Sequence, residues 1–286
     1  MENAIQVKNL SKSYGDFCLD SISFELPKGT ILGLIGENGA GKSTLISTIV
    51  GNVSSCYDQL NILGKEFVNH EKEIKEKIGV IFDTAYYNEN FTPIFISKIL
   101  KNVYKNFDLV MYKDYLQRFG LPEKKKLKTF SKGMKMKLQF ACVLSYKPEL
   151  LILDEATNGL DPLFRNEILE VLRDFTEDEN HSVLMSSHIT SDLDKIADYI
   201  AYLHEGKLAF ILSNDELQNS YGIIHCKENF FQQLNPQDIV FYKKEDYYYS
   251  VLIKNKYEIK KVFYDIDIHP ASIEDVMIFY AKGQKV

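Results

Sequence analysis

An α/β fold, with a sheet-centred core, an inserted helical lobe and a small α+β appendage, is predicted by three features of this 286-residue chain. The first is an apolar run, Thr30-Ile31-Leu32-Gly33-Leu34-Ile35, which enters the glycine turn Gly36-Glu37-Asn38-Gly39-Ala40-Gly41-Lys42-Ser43-Thr44 and leaves it as a helical stretch to Val50. The second is the apolar run Leu150 to Leu153, closed by the acids Asp154 and Glu155. An apolar strand of this kind is buried on both sides of a parallel sheet, and its carboxyl end is where ligands sit in open α/β folds. The third is a change of pattern after Asn219, where short strand-like runs lead to an amphipathic segment.

Composition sets the bounds. A hydrophobic content of 45% over this length is enough to bury one large core and a smaller appendage. A formal net charge of −6 argues against general affinity for nucleic acid, and none is expected as a partner. The longest apolar runs are too short to cross a bilayer, and Met1-Glu2-Asn3-Ala4 lacks the basic-then-apolar pattern of a secretion signal, which predicts a soluble cytosolic chain. Cys18, Cys56, Cys142 and Cys226 are too scattered for a zinc or redox motif and are expected to be reduced core or surface residues.

Taken along the chain, Tyr14-Gly15 precedes a strand from Leu19 to Leu26; its ring suits stacking on a purine, the other reading being one exposed tyrosine among 18. In the glycine turn, the backbone curls so that successive N–H groups, from Asn38, Gly39, Ala40 and Gly41 to Lys42, Ser43 and Thr44, point at phosphate oxygens together with the helix N-terminus. Lys42 then reaches the β and γ phosphates, and the Ser43 hydroxyl ligates Mg²⁺. This predicts nucleoside triphosphate binding, against an incidental glycine turn. A strand from Ile78 to Phe82 ends at Asp83; helices follow at Ile94 to Tyr104 and Leu109 to Phe119, interrupted by Gly120-Leu121-Pro122.

Ser131 and Gly133 open a further helix to Ser145, where hydroxyl and N–H groups make an anion site. Lys124-Lys125-Lys126 and Lys128 read as a solvated surface. After the second apolar strand, Asp154 is placed to hold Mg²⁺ through its water shell and Glu155 to polarise a water for attack on phosphorus, helix-capping acids being the alternative. His188, at a strand end behind Ser186-Ser187, is placed to donate to a γ-phosphate, although a lone histidine is more often structural. In the appendage, Gly222 to His225, Asp238 to Tyr242, Tyr247 to Ile253 and Tyr257 to Phe263 read as strands, and Ala271 to Tyr280 as an amphipathic helix.

In this order the motifs resemble the ATP-binding cassette (ABC) family. Phe130-Ser131-Lys132-Gly133-Met134 is similar to its Leu-Ser-Gly-Gly-Gln signature with three positions altered, Ala156-Thr157-Asn158-Gly159-Leu160-Asp161-Pro162 to its D-loop, and Ser186-Ser187-His188 to its switch histidine. The resemblance implies a P-loop NTPase of the ABC cassette type with a mixed-sheet core. Its ATPase domain spans 1–218, with a core of 1–83 and 146–218 and a helical lobe of 84–145; a C-terminal accessory domain spans 219–286.

The resemblance also implies ATP hydrolysis, with Lys42, Glu155 and His188 catalytic, Mg²⁺ held by Ser43, Asp154 and Asp83, and D-loop Asp161 at the site. Ser131, Lys132, Gly133 and Met134 would act on ATP bound to a second ATPase subunit, in a homodimer or heterodimer. An integral membrane transporter subunit is the other implied partner, received near Tyr86 and Tyr87, which places the chain peripherally on the cytoplasmic face of the cell membrane. The Ser-Lys-Gly-Met-Lys run and Asp83 are similar to Gram-positive exporters and immunity systems for amphipathic peptides, phenol-soluble modulins and lantibiotics among them. A soluble ATP switch without transport is the alternative, disfavoured by a single cassette and the lack of sustained heptads.

Two of the departures from the family pattern bear on the phosphate site. Asp83 stands where the Q-loop has Gln, adding negative charge beside Asp154 and Glu155, which predicts weaker or more conditional coupling of nucleotide to transport. Lys132 replaces a glycine at the point facing a γ-phosphate across a dimer, where it either contacts the phosphate or points outward.

Overall fold

The computed structural model describes residues 2–84 and 87–285. Strands β1 (Asn3–Tyr14) and β2 (Phe17–Pro27) form a hairpin, and β3 (Ile31–Ile35) runs into helix α1 (Lys42–Ile49). The short strands β4 (Gln59–Ile62) and β5 (Lys65–Glu66) precede α2 (Phe67–Lys77) and β6 (Ile78–Phe82). The lobe carries α3 (Pro93–Val103), α4 (Leu109–Arg118) and α5 (Lys132–Leu144). The core resumes with β7 (Leu150–Asp154), α6 (Pro162–Phe175), β8 (Ser182–Ser186), α7 (Thr190–Ile196), β9 (Tyr199–His204), β10 (Lys207–Ser213) and α8 (Asn214–Ser220). The appendage holds β11 (Gly222–Cys226), α9 (Glu228–Phe231), β12 (Ile239–Lys244), β13 (Tyr249–Ile253), α10 (Lys256–Val262), β14 (His269–Pro270) and α11 (Ile273–Lys282).

The central sheet is mixed, as expected. Its order is β10-β9-β3-β8-β7-β6, parallel throughout except for the antiparallel edge β10. Every residue of β3, β7 and β8 is buried, because both sheet faces are covered. Alternation along β3 divides the packing: Ile31 and Ile35 join the core under α5, α6 and α7, while Leu32 and Leu34 join a second core with α1 and the antiparallel sheet β2-β1-β4-β5.

Local sequence sets the lobe. Thr92 caps α3 with Pro93 at its first position, Asp108 caps α4 through the Val110 and Met111 N–H groups, and Gly120, at φ +65°, closes α4 just beyond Phe119. Tyr87 is partly buried and packs against the lobe core, where burial of its phenol beside the Cys142 thiol pushes it well above the ordinary range. Tyr86 lies outside the described residues. Cys142 is itself a core residue, its thiol pushed up to about 12 by burial.

One expected strand of the appendage is a helix, and the short α9 and β14 are elements the sequence did not announce. Tyr257 to Phe263 forms helix α10 and not a strand. Its β-favouring residues mislead: Ile259 and Phe263, four apart, make the face on the appendage core, while Tyr257 and Val262 are exposed. The appendage sheet, β12-β13-β11-β14, buries Ile224, Val251 and Ile253 on that face. On the other, Ile223, Leu252, Ile273, Val276 and Phe279 join the same core as Leu193, Ile196 and Tyr202. The change of pattern after Asn219 is therefore no boundary in the packing, which is how so small an addition obtains a core.

Candidate nucleotide site

Because β6, β7, β8 and β3 lie side by side and parallel, the loops at their carboxyl ends meet. They enclose a cavity of about 480 Å³ that brings together Lys42, Ser43, Asp83, Asp154, Glu155 and His188. The phosphate loop is fixed by its glycines. A Cβ on Gly36 would stand 2.4 Å from the Leu203 carbonyl oxygen of β9, and Gly41, at φ +109°, leaves no room for one beneath the Phe17 ring at 2.6 Å. The first N–H groups of α1 lack helical acceptors and open on the cavity, which gives it a positive end for an anion.

Lys42 is almost fully buried. Its ammonium donates to the Gly36 carbonyl at 2.8 Å and the Glu37 carbonyl at 3.3 Å, and lies 3.4 Å from Glu155 Oε1. One hydroxyl organises both acids: Ser186 Oγ donates to Asp154 Oδ1 at 2.7 Å and accepts from the Glu155 N–H at 3.0 Å. The parallel register that sets Asp154 opposite Ser186 makes this possible. Glu155 is left-handed at φ +52°, a conformation uncommon for a residue with a side chain, and its carboxylate faces both Lys42 and His188. His188 Nδ1 lies 2.5 Å from Glu155 Oε2.

Ser43, Asp154 and Asp83 border the cavity with hard oxygen donors. Among the described residues no group of three or more His, Cys, Asp or Glu side chains is arranged to hold a metal ion by itself. That donor set fits Mg²⁺, which uses one or two carboxylates and completes its shell with water and phosphate oxygens.

Other expected residues fall elsewhere. Tyr14 does not border the cavity; it is half exposed, with the Lys12 ammonium 5.0 Å from its ring centre. The aromatic at the cavity is Phe17, which pairs with Tyr14 across the Gly15-Asp16 turn. Ser131, Gly133, Met134 and Asp161 also lie outside the lining. Ser131 caps α5 by accepting the Met134 N–H at 3.2 Å, and Met134 packs on the lobe core. Asp161 caps α6 through the Phe164 N–H at 2.9 Å, which holds its carboxyl below the usual range.

The acid at 83 and the lysine at 132 meet each other: Lys132 Nζ bonds Asp83 Oδ1 at 2.6 Å. Gln139, on the same helix as Lys132, donates to the Phe82 carbonyl at 3.1 Å, so α5 grips the exit of β6 twice. Phe17, Asn158, Ser186 and Gln139 were missed by sequence reasoning. The register opposite Tyr14 and Asp154 was the available signal for Phe17 and Ser186; Gln139 offered none, since a glutamine inside a helix carries no pattern.

Comparison with known proteins agrees with this geometry. The ABC transporter family model matches residues 19–158. The bacitracin transport ATP-binding protein BcrA of Bacillus licheniformis is 34% identical over 224 residues, covering 76% of this chain and 72% of its own length. The lantibiotic transport ATP-binding protein SrtF of Streptococcus pyogenes is 34% identical over 218 residues, covering 75% of this chain and 93% of its own. This chain belongs to the ABC transporter ATP-binding family. A solved ATP-binding subunit of an ABC transporter superposes with a TM-score of 0.69 at 27% identity, covering 75% of this chain and 92% of the other.

As an ABC ATPase, the chain binds and hydrolyses ATP to power transport. Among its described residues no helix is long and apolar enough to cross a membrane.

Proposed function

We propose that this ABC ATPase powers export of amphipathic peptides through a separate integral membrane subunit, as one of two ATPase subunits held peripherally at the cytoplasmic face of the membrane. The observation that carries the hydrolytic part is the meeting of Lys42, Ser43, Asp154, Glu155 and His188 in one cavity. That the relatives BcrA and SrtF are transport ATP-binding proteins for bacitracin and a lantibiotic supports a peptide cargo. For the membrane partner, α3 offers an apolar stripe: Phe95, Ile99 and Val103 recur every four residues and all remain exposed, with Ile94 beside them.

The chemistry follows from the residues. Water oxygen attacks the γ-phosphorus, the bond to the β–γ bridging oxygen breaks, and ADP and phosphate leave. Lys42 exchanges its loop carbonyls and Glu155 for phosphate oxygens as nucleotide enters. Glu155 is then free to accept the proton of the attacking water, while His188 orients that water and donates to the γ-phosphate. Ser43 and Asp154, with Asp83 at the rim, would hold Mg²⁺, which would supply charge neutralisation to the phosphates. In the family arrangement, Ser131 and Gly133 at the start of α5 act on the nucleotide of the second subunit.

The test is co-expression with candidate membrane subunits and reconstitution in vesicles. Export requires peptide-stimulated ATPase activity and ATP-dependent peptide accumulation that are both lost in Glu155→Gln. Stimulation by no amphipathic peptide, with intact basal hydrolysis, would leave the ATPase standing and remove the cargo.

A further inference from the structure

Three carboxylates, Asp83, Asp154 and Glu155, border the nucleotide cavity against one ammonium, Lys42, among the described residues. Two of these acids are compensated from within the core: Asp154 accepts the Ser186 hydroxyl, and Glu155 faces Lys42. Asp83 has neither. It stands where β6 ends, so its charge adds directly to the repulsion that a polyphosphate meets on entry.

The lobe supplies what the core lacks. Lys132 Nζ lies 2.6 Å from Asp83 Oδ1. The next two lysines of α5 are engaged elsewhere, Lys135 with Glu89 at 3.1 Å and Lys137 at 3.8 Å from Asp161. Gln139, buried on the same helix, fixes the register by holding the Phe82 carbonyl, the group adjoining Asp83. A glycine at 132 would leave the acid uncompensated.

We infer that Lys132 is the counter-ion of Asp83, a positioning residue that allows an acid to stand at the rim of the phosphate site, and that the two act as one unit in nucleotide binding. The alternative role for Lys132, direct contact with a phosphate bound to a second subunit, makes no reference to Asp83. The two are separable by a double-mutant cycle.

The full chain is titrated with Mg²⁺-AMPPNP, a non-hydrolysable ATP analogue, at low and high ionic strength. The isosteric changes Lys132→Met and Asp83→Asn remove charge while leaving helix α5 its propensity. Lys132→Met weakens binding about fivefold at low ionic strength, less than a buried pair would give because both side chains are well exposed to screening. The penalty shrinks to less than about twofold at high ionic strength, and to less than about twofold at any ionic strength when Asp83 is already Asn. An equal penalty in both backgrounds would overturn the inference in favour of direct phosphate contact; no penalty in the parent background would overturn it outright. Binding by the unmodified chain reports separately on the nucleotide site itself.

Discussion

On the core wall of the nucleotide cavity, Asp154 is 5% exposed, and a single hydroxyl ties it to the next residue and to the neighbouring strand. On the lobe wall, Asp83 and Lys132 meet with side chains 40% and 58% exposed. The first wall is hydrogen-bonded inside a close-packed sheet, where an unsatisfied group is costly and position is over-determined. The second is an ion pair in water's reach, of little value to stability but still able to set local charge. A substitution therefore costs most on the wall that burial fixes, whereas Asp83 and Lys132 lie where solvent relaxes that constraint.

The largest effect that sharpens this contrast is at Glu155. Glu155→Gln keeps shape and the Ser186 contact but removes the proton acceptor, and single-turnover ATP hydrolysis falls by about a hundredfold or more. Nucleotide binding measured at equilibrium is retained. A loss below tenfold would mean that the acid of the core wall is only structural.

Next comes Ser186→Ala. It takes from Asp154 Oδ1 the hydroxyl it accepts, a loss of about 1.5–3 kcal/mol for a bond to a charged group, while the Glu155 N–H keeps the Ser186 carbonyl. ATPase turnover falls about tenfold, and the hydroxyl-retaining Ser186→Thr recovers part of it if the methyl is accommodated. Turnover unchanged in Ser186→Ala would place the organisation of the acids elsewhere. On the lobe wall, Gln139→Leu removes the grip on the Phe82 carbonyl and a weak bond to the Met136 sulfur, at a cost of about 1 kcal/mol, read as a fall in melting temperature of about 2–4 °C. A fall as large as that of a core cavity would show that the two walls are not energetically distinct.

The same contrast explains what the sequence disclosed. Gly36, Gly41, Lys42 and the Asp154-Glu155 pair are legible because their chemistry and the backbone sterics demand those residue types at fixed spacing. The phosphate strand, the acid strand and the lobe helices are legible because continuous apolar runs and i, i+4 spacing survive in one dimension. Ser186 and Phe17 become functional only through strand register, which pairs positions distant in the chain. Asp83 and Lys132 were each visible as anomalies, yet 49 residues separate them, and nothing short of the packing of α5 on β6 makes them one feature. Helix α10 reads as a strand because Tyr257, Ile259, Val262 and Phe263 favour β structure, yet only Ile259 and Phe263, four apart, face the appendage core, and that burial, not propensity, sets its conformation.

The smallest expected effect tests a second charged link between lobe and core. Asp161 caps α6, and its carboxyl lies below the ordinary value of 3.8 chiefly because it accepts the Phe164 N–H, with the Lys137 ammonium of α5 adding to the shift and burial opposing it. A depressed carboxyl contributes stability above its unfolded-state value and loses it as pH falls through the lower folded-state value. Asp161→Asn keeps a capping oxygen while removing the charge. Its melting temperature therefore falls slightly below the parent's near neutral pH, and the two curves converge as pH drops below 3.8. Added salt narrows the neutral-pH gap, because the carboxylate is solvent-facing and its partner lysine is 3.8 Å away. A gap that is unchanged by both acid and salt would assign the contribution to cap geometry alone and remove Lys137–Asp161 from the links that join α5 to the core.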